Sequence, residues 1–83
     1  MSRITVVDVK GVPSHRRDCV EAAISAAGSL LSEDHEAWVV PARRPPAYKV
    51  RITGPRGFYR EVGFGGPETE AEIAASIRQA FAS

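Results

Sequence analysis

Apolar positions along the chain fall into stretches of strand period and stretches of helix period. Residues Ile4–Val9 (ITVVDV) are β-branched and apolar on both sides of the pleat. They predict a strand covered on both faces, or an arm swapped onto a second chain. Gly11-Val12-Pro13-Ser14 breaks the run, and Ser14 is the expected N-cap of a helix over residues 14–31. Val20, Ile24, Ala27 and Leu31 recur at helical spacing, which places them on one stripe that Ala23 and Leu30 widen. Gly28 inside that stripe costs about 1 kcal/mol relative to alanine, so something is expected to pack close to it.

Residues 32–36 read as a polar, acidic connection, and residues 37–40 as a short strand carrying Trp38. Pro41 stops that strand or marks it as an edge, because proline donates nothing to a ladder. Arg43-Arg44-Pro45-Pro46 predicts a stiff, extended loop. In the next stretch Tyr48, Val50 and Ile52 alternate with Lys49, Arg51 and Thr53, and a further alternating run follows over 58–64. A two-residue turn at Pro55-Arg56 would set Val50 opposite Glu61. A five-residue loop over 54–58 instead pairs Val50 with Val62, Tyr48 with Phe64 and Arg51 with Glu61, so the longer loop is favoured. Val50, Ile52, Val62 and Trp38 are then expected inside, with Lys49 and Arg51 outside.

Gly65-Gly66-Pro67 ends the strand region. Thr69 and Glu72 fit a capping box, and Glu68, Glu70 and Glu72 complement the positive end of the last helix. Ile73, Ile77 and Phe81 lie four apart on its apolar face. The expected fold is a single α+β domain over residues 1–83, in the order β-α-β-β-β-α. It holds a three-stranded antiparallel sheet, two helices packed on one face of it and an additional N-terminal strand.

Composition adds bounds. An 83-residue chain buries roughly 60–65% of its unfolded surface and has few apolar groups to spare for a deep pocket. Cys19 is the only cysteine, so no internal disulfide forms and a reducing, cytoplasmic setting is expected. No signal-peptide pattern opens the chain and no apolar run approaches a membrane span, so no membrane partner is expected.

Charge changes the picture more. Net charge is +1, yet residues 43–60 hold six basic side chains and no acid, while residues 61–77 hold four acids and no base. Such segregation predicts one positive and one negative surface. Arg43, Arg44, Lys49, Arg51 and Arg56 are placed to follow a phosphate backbone, with Tyr59 as a stacking ring. The bland alternative is a solvated sheet face on which Arg51 pairs with Glu61. Arg60 falls on the inner face, where it is expected to snorkel at the strand end. His15, Arg16 and Arg17 form a secondary basic site at the start of the first helix, where cations oppose the macrodipole and Arg17 can pair with Glu21. Residues 33–36 (EDHE) have metal-ligand chemistry, but four consecutive side chains do not converge on one ion, so a solvated acidic turn is expected. His15 and Cys19 lack a third positioning group, and no serine sits in a nucleophile elbow. The expectations are no catalytic residues, no metal and no cofactor.

The helix, three antiparallel strands and helix resemble the layout of the double-stranded-RNA-binding domain. The segments YKVRITGPRGFYREVGF and TEAEIAASI are also similar to the arm-type DNA-binding domain of tyrosine integrases, with its basic strand, Gly-containing turn, second strand and Thr-x-x-Glu helix start. The first resemblance implies contacts from the loop at Arg43 and Arg44 and from the helix start at His15, Arg16 and Arg17. Where that family carries lysines at its last helix, this chain has Glu68, Glu70 and Glu72, which repel phosphate. The second resemblance implies a sheet-face contact through Lys49, Arg51 and Tyr59. The expected function is therefore a small non-catalytic module that binds DNA or RNA. The alternative is a protein-interaction module, an accessory, inhibitor or homodimeric protein, using an edge strand near Trp38 and the segregated charges.

Overall fold

In the computed structural model, which describes residues 2–44 and 46–82, four strands form one mixed sheet. β1 is Ile4–Val9, β2 is His35–Pro41, β3 is Tyr48–Thr53 and β4 is Tyr59–Phe64, and they lie side by side in chain order. Helix α1 is Ser14–Ala27 and helix α2 is Glu70–Ala82. β1 and β2 run parallel with α1 as their crossover, while β2–β3 and β3–β4 are antiparallel. The α+β class and the two helices match expectation, and the N-terminal strand joins its own sheet rather than a second chain.

β1 reconciles a run with apolar residues on both sides of the pleat with a sheet that has only one core. Val6 pairs with Ala37, but the register then shifts so that Asp8 pairs with Trp38 and Val9 with Val39. Val7 is the extra residue of this irregularity and is 48% exposed. Inserting one residue flips the alternation. Ile4, Val6 and Val9 consequently all turn toward α1, and Asp8 turns away.

The core lies between the sheet and both helices. Val20, Ala23, Ile24 and Ala27 of α1 and Ile73, Ala74 and Ile77 of α2 meet Ala37, Val39, Tyr48, Val50, Ile52 and Phe64. Each fully buried valine or isoleucine contributes on the order of 1.5–3 kcal/mol. The β3–β4 register is the expected one: Tyr48 opposite Phe64, Val50 opposite Val62 and Arg51 opposite Glu61. Val62 is only half-buried, because β4 is an edge. The α2 capping box also forms, with the Glu72 N–H donating to Thr69 Oγ1 at 3.2 Å and the Thr69 N–H donating to Glu72 Oε1 at 2.9 Å.

Four expectations are corrected. Trp38 is half-buried on the other face of the sheet, since its neighbours Ala37 and Val39 take the core positions. β2 is also an interior strand, paired on both sides, so Trp38 marks no edge. The first helix ends at Ala27 and tightens into a 3-10 turn, Gly28–Leu30, which swings Leu30 out of the stripe to 88% exposure. Ser14 is the first helical residue rather than the cap, and Pro13 precedes the helix with no side-chain cap bond. Gly28 does meet a close neighbour, because a Cβ there would lie 2.8 Å from the Ile4 backbone nitrogen.

The expected acidic turn is half wrong as well. His35 opens β2 and is buried, its ring edge-on to Phe58 and Phe81 at 5.1 Å each. Its Nδ1 lies 2.8 Å from the Glu33 carbonyl. Gly54 makes room for the ring, since a Cβ there would fall 2.3 Å from His35 Cδ2. Arg60 extends from the core side of β4 over the Phe58 ring at 4.8 Å, consistent with the expected snorkel.

Candidate nucleic-acid interface

Both helices pack on one face of the sheet, and the alternate residues form a second face that neither helix covers. Three ladder rows cross it. Glu36, Thr53 and Tyr59 form one, Trp38, Arg51 and Glu61 the next, and Val40, Lys49 and Gly63 the third. Tyr59 is 50% exposed, and Lys49 and Arg51 each show nearly half of their side chains to solvent.

Charges on this face are organised around one carboxylate. Arg51 Nε donates to Glu61 Oε2 at 2.9 Å, Tyr59 O–H donates to the same oxygen at 3.1 Å, and Lys49 Nζ lies 3.4 Å from Oε1. These three donors, Arg51 foremost, hold the Glu61 carboxyl below its ordinary range. Acceptance of the Tyr59 proton by Glu61 correspondingly raises the phenol. The expected Arg51–Glu61 pair is present, and Lys49 and Tyr59 join it.

Arg43 and Arg44 are exposed on the connection between β2 and β3, and Pro45 lies outside the described residues. Backbone bonds from Ala42 N–H to the Ala47 carbonyl and from Ala47 N–H to the Arg44 carbonyl, both 3.0 Å, shape this connection. It adjoins the start of α1, where Pro46, Pro13, His15 and Arg16 line one shallow hollow with Gly66 and Pro67. His15 and Arg17 are exposed there. Arg16 reaches across to donate to the Glu68 carbonyl, tying α1 to the segment before α2. Arg17 does not reach Glu21; the ion pairs among the described residues lie elsewhere. The Glu68 carboxylate accepts the Gly65 and Gly66 N–H groups at 2.9 Å each, so those backbone donors are already taken.

Arg56 does not belong with the other candidates. It sits in the 3-10 turn Pro55–Gly57 with φ 58° and pairs with Glu33, Nη1 to Oε2 being 2.8 Å. That turn joins the opposite end of β3 from Arg43 and Arg44, beside the Arg3–Asp34 pair at 3.2 Å. The Arg56 hydrogen bond lowers the Glu33 carboxyl and raises the guanidinium in turn. The linear charge segregation is thus undone in space: the basic block meets Glu33 through Arg56 and Glu61 through Lys49 and Arg51. Of the candidate arginines, Arg16, Arg17, Arg43 and Arg44 stand without an ion pair among the described residues, near one end of the sheet, and of these Arg16 is engaged with the Glu68 carbonyl.

Sequence reasoning missed Trp38 as part of this face, and the missed signal was the run Ala37-Trp38-Val39. A strand with one covered face buries alternate residues, and the small Ala37 fits beneath a helix. Compared with known proteins, the chain matches no family model, no curated protein and no solved structure.

Proposed function

We propose that this protein is a non-catalytic module that binds nucleic acid on the uncovered face of its sheet. The observation that carries this reading is the composition of that face: Lys49 and Arg51 beside the rings of Trp38 and Tyr59, with Arg43 and Arg44 at its end. Cations track phosphates without regard to sequence, and exposed rings offer stacking surfaces. His15 and Arg17 extend the positive end, whereas Arg56 lies on the turn at the other end of β3, beside Glu33, and is left out of this reading. A salt titration tests the reading. If about four phosphates are neutralised, log affinity falls with log salt at a slope of about −3 to −4. Replacing Arg43, Lys49 and Arg51 together by glutamine flattens that slope by about one unit for each phosphate no longer neutralised. Absence of wild-type binding at low salt to both duplex and single strands would refute it.

A protein partner, including a second copy of the chain, is the second reading, and Leu30 favours it. That side chain stands almost fully exposed beside an apolar hollow lined by Ala27, Leu31, Arg78, Phe81 and Ala82. Sedimentation of wild type and Leu30→Asp across a concentration series tests it. A dimer lost in the variant supports this reading, and a monomer throughout removes the homodimer.

A further inference from the structure

We propose that Lys49, Arg51 and Tyr59 form a phosphate subsite for a single-stranded polynucleotide, that Glu61 fills it when no strand is bound, and that Trp38 stacks a neighbouring base. This rests on the nucleic-acid reading above and gives it a substrate class. Three donors from two strands converge on the two oxygens of one carboxylate, at 2.9, 3.1 and 3.4 Å. A phosphate diester presents the same chemistry to such donors, two anionic oxygens on one centre. Glu61 is ionised at neutral pH, since its donors hold the carboxyl low. It is therefore a competitor that any phosphate must displace.

The ring geometry selects single strands. Trp38, Arg51 and Glu61 are successive partners across three strands, which sets Trp38 two strand spacings, about 10 Å, from Glu61. Trp38 and Tyr59 make no ring–ring or cation–π contact among the described residues. Duplex bases are stacked on each other and unavailable to such rings, whereas single-stranded bases are free to lie on them.

Trp38 is the only tryptophan, so its fluorescence reports stacking directly. The full chain is titrated with oligo-dT and oligo-U of about ten nucleotides and with a duplex of equal length. Wild type, Glu61→Gln and the Lys49→Gln/Arg51→Gln double variant are compared. Single strands should quench Trp38. E61Q should bind them about fivefold more tightly at low salt, with the advantage shrinking as salt rises. The double variant should bind more weakly than wild type. Glu61→Thr, which keeps a strand-favouring residue, should reproduce the tightening and separate charge from folding. DNA and RNA arms that agree identify the shared backbone; a preference for one names the polymer. If wild type binds but both Glu61 variants bind no better, the subsite is overturned and the broader reading stands. Duplex quenching as strong as that by single strands overturns the single-strand assignment. No wild-type binding at all overturns both readings together.

Discussion

The two faces of the sheet are built from the same strands, by regular alternation along β2, β3 and β4, yet they obey different physics. On the helix side Val39, Val50 and Ile52 are fully buried and leave nothing for a ligand to touch. On the other side Trp38, Lys49, Arg51, Tyr59 and Glu61 are held in position by those buried neighbours, and a shared carboxylate gathers the polar ones together. Exposed ion pairs of this kind contribute little to folding. The arrangement is therefore one that the fold can rearrange at small cost. Stability resides on one face, and the freedom to exchange partners on the other.

The largest test of this division is removal of residues 1–10. β1 supplies Ile4 and Val9 to the core and covers one side of β2, so its loss should abolish the cooperative thermal transition seen by circular dichroism. A truncated chain that melts within a few degrees of wild type would contradict the placement of β1. Next come two adjacent residues on opposite faces. Ile52→Ala should cost about 2–5 kcal/mol, read by denaturant unfolding. Arg51→Gln should leave the midpoint essentially unmoved. Equal effects at both positions would break the comparison.

Smaller still is Tyr48→Phe. Tyr48 is buried against Phe64, ring centroids 5.3 Å apart, and its hydroxyl finds no hydrogen-bond partner among the described residues. Deleting a buried, unsatisfied hydroxyl should stabilise the protein by up to about 1 kcal/mol. Burial pushes the phenol up to about 12 from its ordinary 10.0. The folded state therefore favours the neutral phenol, and this contribution is complete below pH 10.0 and lost as pH rises toward about 12. Tyr48→Phe should remove that part of the alkaline loss, and a variant whose stability falls as steeply as wild type over the same range would contradict it.

Much of the covered face was legible because burial leaves a periodic mark. The alternation around Val50 and Ile52 predicted the hairpin register, and Thr69 with Glu72 predicted the helix start. Where geometry departs from a regular period, the sequence was silent. The shift at Val7 reverses the alternation of β1, and the tightening at Gly28 throws out Leu30, although Leu30 matches the helical stripe by count. The uncovered face was legible only in part. Arg51 with Glu61 followed from the register, but the convergence of Lys49 and Tyr59 on the same carboxylate depends on side-chain reach. Arg56 looked like a member of the basic block because it is close in sequence. The turn that carries it lies at the far end of the sheet, within reach of Glu33.

The most direct measurement is a map of backbone amide shifts on adding a short single-stranded oligonucleotide to the labelled protein. Changes should saturate together at Trp38, Val40, Lys49, Arg51, Tyr59 and Glu61 and along the Arg43–Arg44 connection, with Ile24, Ile73 and Ile77 in the helix-covered core unmoved. Changes centred on the helices, or none at any concentration, would contradict it.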